Sequence, residues 1–222
     1  MKKALLGAAL VVAIAAIGEV IYNLGFDGDT DFAITIFVGL VALTVAVTSS
    51  RLAKHTLFAA IAAGDEEKVL RMLGPLDRVG AFLELEVRNP QGQTPLAAAA
   101  EKGLTRVVER LIERGSKVDS QSRDGSTPLL FGIRSGRTVI AHRLIEAGAN
   151  VSLADAEGSS PLMEAAFLGQ KSVIEELLVQ GADPKRADKS GKTPADWAKM
   201  NKQMEVVRYL ETYPPTRESG PV

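Results

Sequence analysis

Four glycines, Gly92, Gly125, Gly158 and Gly191, recur at a spacing of 33 residues, and three other positions keep step with them. Pro95, Pro128, Pro161 and Pro194 hold one of these positions, Leu111, Leu144, Leu177 and Leu210 another, and Val107, Ile140, Val173 and Val206 the third. Three of the four copies add Gly103, Gly136 and Gly169, then Gly115, Gly148 and Gly181. A fixed period of this length points to a row of like units, each too small to bury its own apolar face, so the units must stack. Within a unit, Gly supplies a backbone angle closed to most residues, Thr or Ser caps a helix, and Pro follows in the first turn, where a missing N–H costs nothing. Ala98, Ala99, Gly132, Ala165, Ala166 and Ala198 keep the first helix thin for close stacking. A second helix, Thr105 to Arg114 in the first of these copies, carries Val108, Leu111 and Ile112 at helical spacing and stops at Gly115.

Residues 57–73 read as a further copy upstream, with Gly64 aligned to Gly103 and Val69 to Val108 at an offset of 39, so about six extra residues fall between Gly74 and Arg88. The predicted class is therefore all-α, a solenoid of five helix-turn-helix repeats at 57–88, 89–121, 122–154, 155–187 and 188–211. In the last copy Asn201 and Lys202 replace the mid-repeat Gly, and Lys199, Lys202, Gln203 and Arg208 are expected to wet its outer face. Residues 212–222 are Pro-rich and aperiodic and are expected to be a disordered tail.

The repeats GQTPLAAAAEKG, GSTPLLFGIRSG, GSSPLMEAAFLG and GKTPADWAKMNK, each followed by V-x-x-x-L or I-x-x-x-L, resemble the ankyrin repeat family. The resemblance covers about residues 57 to 211. It implies an interaction module whose turn tips and inner-helix ends line a concave, partner-binding face. By register that face holds Gln93, Glu101, Lys102, Arg134, Ser135, Phe167, Leu168, Met200 and Asn201, with Phe167, Leu168 and Met200 as an apolar cluster. Glu164 is placed to pair with Arg134 one repeat away. One departure is that the family's His after T-P-L is replaced by Ala97, Leu130, Met163 and Asp196, which removes its usual brace for the turn.

The first fifty residues belong to another solvent. Residues 4–26 carry one charge, Glu19, and residues 32–50 carry none; each is long enough to cross a hydrocarbon layer of about 30 Å. The acidic turn between them suits a transmembrane helical hairpin, and residues 51–56 serve as a linker. Lys2, Lys3, Arg51 and Lys54 flank the spans and place both termini in the cytoplasm. The predicted protein is thus a multi-pass inner (plasma) membrane protein with its ankyrin domain cytoplasmic. The alternative for the first segment is a cleaved signal peptide, which leaves one span and the same cytoplasmic domain.

Composition bounds the chemistry. In 222 residues, 26 Lys and Arg against 27 Asp and Glu give no excess of cations for nucleic acid, and the absence of Cys removes thiol nucleophiles, disulfides and Cys-ligated zinc. His55 and His142 have no partner at a catalytic spacing, and no phosphate-cradling or metal-ligand motif is present. The expected protein is not an enzyme, takes no cofactor or small-molecule substrate, and binds another protein while held at the membrane. Alternatives from other classes are a subunit of a membrane or transport complex in which the hairpin is the working part, and a secreted effector or immunity-type ankyrin protein.

Overall fold

A Thr or Ser hydroxyl opens each of the four inner helices that the repeat glycines precede. Thr94, Thr127, Ser160 and Thr193 sit in extended backbone, and their Oγ atoms accept from the amides of Ala97, Leu130, Met163 and Asp196 at 3.3–3.4 Å. These caps satisfy amides that the helix itself leaves unpaired. The computed structural model describes residues 56–74 and 85–213. It divides the chain into two compact units, Met1–Ala53 and Lys54–Val222, and the described residues fall in the second. The spans expected at 4–26 and 32–50, most of the linker, the segment 75–84 and residues 214–222 lie outside the described residues. Among those described, no helix is long and apolar enough to cross a membrane.

Five helix pairs follow in order. The first comprises helical residues 56–62 and Glu66–Leu73; the second, Pro95–Lys102 and Thr105–Glu113; the third, Pro128–Arg134 and Thr138–Glu146. The fourth comprises Pro161–Leu168 and Lys171–Val179, and the fifth Pro194–Met200 and Met204–Thr212. No strand occurs among the described residues. Inner helices pack on inner helices and outer on outer, so one apolar seam runs the length of the stack. Its leucines Leu111, Leu144 and Leu177 are fully buried and Leu210 nearly so. Ala99, Ala165 and Ala198 are fully buried too, so larger side chains there would push the inner helices apart.

The ends show where local pattern and packing part company. The last helix runs through Thr212, one residue past the expected end of the repeats, and the Tyr213 ring meets Tyr209 edge-on at 5.8 Å. Gln203, expected on the wettable outer face, instead turns back over Gly169, its Oε1 2.6 Å from where a Cβ would stand. Met200 and Met204 take the outer positions, 57% and 54% exposed. Lys202 holds φ 59, the one left-handed residue other than glycine among those described, at the place where Gly103 and Gly169 serve earlier repeats. Lys202→Gly is expected to raise stability by about 1 kcal/mol, the cost of holding an L side chain in that region. An unchanged or lower midpoint in chemical denaturation would contradict this.

Candidate functional site

The turn tips lie along one edge of the face that the family register assigns to partner contact, and their bracing comes from residues the repeat pattern itself repeats. Asn89, Ser122, Asp155 and Asp188 stand 33 residues apart. Oδ1 of Asn89 accepts from the amides of Gln91 and Gln93, that of Asp155 from Glu157 and Ser159, and that of Asp188 from Ser190 and Lys192, all at 2.8–3.0 Å. Ser122 does related work by donating to the Ser126 carbonyl at 2.9 Å. These side chains mimic a turn of backbone and replace the brace that the missing histidines would give. The 33-residue period that carries the Gly and Pro positions also carries these four, although the residue type changes among Asn, Ser and Asp.

Successive tips are then tied together. The Arg123 amide donates to the Gln91 carbonyl, Ala156 to Asp124 and Lys189 to Glu157, at 3.2, 2.8 and 3.1 Å. Gly92, Gly125 and Gly158 make room for this approach: a Cβ on any of them would come within 2.8–3.1 Å of the following tip.

Behind the tips, the expected surface residues fall into three groups. In the second repeat Gln93 is buried, accepting from Asn89 at 2.7 Å and donating to Glu101 at 2.8 Å. Glu101 and Lys102 are exposed and, with Phe58, Ala62 and Gln91, line an open groove of about 300 Å³. In the third repeat Arg134 is committed inward. Its Nε and Nη2 donate to Glu164 at 2.8 and 2.7 Å, Nη1 to Ser126 at 2.7 Å, and Nη2 also to Asp155. Burial pulls the Arg134 pKa down, but the bonds to Asp155 and Glu164 outweigh it and raise the value. The pairing of Arg134 with Glu164 expected from register is therefore present, and it withdraws Arg134 from the free surface. Ser135 beside it is half-buried.

The third group spans the fourth and fifth repeats. Phe167 meets Trp197 edge to face, centroids 6.0 Å apart and planes at 78°. The Phe167 carbonyl accepts from Asn201 Nδ2 at 2.7 Å, and Leu168 packs against the core. Phe167 and Leu168 are half-buried, whereas Met200 and Asn201 are exposed. The apolar cluster read from register is thus partly an inter-repeat contact, and Trp197 is a member that register alone did not suggest.

Trp197 also reports on its turn. Its indole donates to Asp188 Oδ2 at 2.9 Å. The Lys192 amide, then Ser190 and the indole, hold the Asp188 carboxyl at about 2 against the upward pull of desolvation. A depressed carboxyl favours the folded state above its unfolded pKa of about 3.9, and that contribution fades as pH falls toward the folded value. Emission from Trp197, the single Trp, is expected to shift as pH drops from about 4 to about 2. Asp188→Asn should remove that step; its survival would assign the change to another carboxyl.

Outer helices carry the remaining charge contacts between repeats: Arg106 with Glu67 at 2.6 Å, Arg143 with Glu109 at 3.1 Å, Lys171 with Glu205 at 3.5 Å, and His142 with Glu176. His142 therefore has a structural partner on the next repeat. Among the described residues no group of three His, Asp or Glu could hold a metal ion.

Taken together, a solenoid of stacked helix pairs with braced, mutually bonded turn tips is an ankyrin-type architecture. The family of ankyrin repeats matches residues 57–155 and 140–214, and the chain belongs to it. No match was found among curated proteins. Ankyrin repeats generally mediate protein–protein interaction.

Proposed function

We propose that the chain is a membrane-anchored interaction protein, not an enzyme, whose ankyrin domain binds another protein at the cytoplasmic face. The observation that carries the binding part is the contrast along the concave row. Arg134 and Gln93 are consumed by internal bonds, while Glu101, Lys102, Met200 and Asn201 remain exposed on a stack held rigid from tip to tip. A pre-organised face of this kind offers polar contacts and an apolar anchor without much ordering cost on binding. Support for the anchor is the pair of nearly uncharged segments at 4–26 and 32–50 with flanking cations. Tethering would raise the effective concentration for a partner at the same membrane.

The test is crosslinking from intact membranes with identification of the captured protein, repeated with Lys102→Glu and Met200→Ser together. Both residues are exposed, so the fold should be kept while capture falls at least several-fold. Unchanged capture would remove these residues from the binding face. A reporter fused after Val222 is expected to be active in the cytoplasm, and activity on the other side would overturn the topology.

A further inference from the structure

The interior repeats direct a stripe of four positions toward the repeat that follows, and at each position at least one repeat makes a contact there. The first is Arg134, which meets Asp155 and Glu164, or Phe167, which meets Trp197 and Asn201. The second is Gly103 under Arg137, or Gly169 under Gln203. The third is Lys171, which meets Glu205, and the fourth is Glu109 or His142, which meet Arg143 and Glu176. Carried 33 residues on, the same stripe in the fifth repeat reads Met200, Lys202, Met204 and Arg208, all exposed. Met200 and Met204 are two of only four exposed large apolar residues among those described. The tip is open as well: a Cβ on Gly191 would meet no atom within 4 Å, unlike its counterparts Gly92, Gly125 and Gly158.

Charge selects what this face would accept. Between Lys185 and Glu211 seven cations face four carboxylates, and each carboxylate has a partner within the domain. Asp188 is held by its turn and Asp196 by Thr193, while Glu205 pairs with Lys171 and Glu211 with Lys199. Two thioethers therefore alternate with two cations. In two of the interior interfaces the fourth stripe position meets an opposite charge or its hydrogen-bond partner, Glu109 with Arg143 and His142 with Glu176. A second copy of the same face would set Lys202 and Arg208 against like charges.

From this we infer that the open end of the fifth repeat is a second docking surface, adjoining the concave face at Met200 and extending from it over Lys202, Met204 and Arg208, for an amphipathic helix with acidic residues flanking its apolar stripe. The helix lies where a following repeat's helices would lie. Its apolar stripe covers Met200 and Met204, and its carboxylates meet Lys202 and Arg208. Methionine suits such a site because its flexible thioether adapts to varied apolar surfaces.

The test uses the full-length chain and two fluorescein-labelled synthetic amphipathic peptides with the same leucine stripe, one flanked by Glu and the other by Lys. Anisotropy should show the Glu peptide binding about tenfold tighter than the Lys peptide. Met204→Glu should weaken it by about tenfold or more, and Arg208→Glu should erase the preference. Circular dichroism of each variant confirms that the helices persist. Equal affinity for both peptides, or binding indifferent to Met204→Glu, would overturn the proposal. So would displacement of the Glu peptide by phosphatidylglycerol but not phosphatidylcholine vesicles, which would assign the face to a lipid surface. Dimerisation through this face, broken by Met204→Glu in sedimentation, would equally overturn it.

Discussion

Arg134→Ala is expected to cost about 3 kcal/mol of stability, because it strands two carboxylates that are nearly out of solvent. The side chains of Asp155 and Glu164 are only 9% and 10% exposed, and both pair with the same guanidinium, Asp155 through the oxygen its turn amides leave open. The figure sits at the lower edge for breaking a buried pair, since solvent reaches 29% of the Arg134 side chain. For a domain of this size the midpoint of thermal unfolding should fall by roughly 10 °C. Arg106→Ala is the comparison. Its partner Glu67 is exposed at 68% and Arg106 itself at 61%, so its removal should leave stability unchanged within error. Urea denaturation of both variants, followed by Trp197 emission, decides the matter. Equal small losses would mean that the Arg134 network does not hold the third and fourth repeats together.

Gly125→Ala is expected to cost about 2–3 kcal/mol, from two separable causes. Gly125 holds φ +79, where a side chain is strained, and a Cβ there would come 2.9 Å from the Ala156 amide nitrogen. That amide donates to the Asp124 carbonyl at 2.8 Å, so the methyl group forces apart the bond that ties two tips. Gly191→Ala separates the causes. Its φ is +80 but no atom lies within 4 Å, so it should cost only the backbone strain, about 1 kcal/mol. The excess at position 125 measures the stacking of tips. If the two substitutions cost the same, the close approach of tips contributes nothing and the strain alone explains both.

Much of the fold was legible because it is local. Thr94 and Pro95 start a helix by caps and angles that involve neighbours three residues away, and Gly103 ends it in the left-handed conformation the next turn needs. The upstream copy was legible through Gly64 and Val69 for the same reason, and Val69 is as fully buried as Val108. The candidate surface was legible only as positions. Gln93, Glu101, Arg134, Phe167 and Met200 all fall on the predicted row, yet Arg134 is tied up by Asp155, Ser126 and Glu164 while Met200 is left 57% exposed.

Repeat number, helix starts and stops and the apolar seam are thus properties of the sequence, since each depends on contacts within one repeat or on positions it shares with its neighbour. Which polar side chains remain free to meet a partner was decided only by tertiary structure. The bond that ties Arg134 to Glu164 and the contact that lays Gln203 over Gly169 join residues about one repeat apart. Their outcome depends on the particular pair brought together, not on the pattern that both members share.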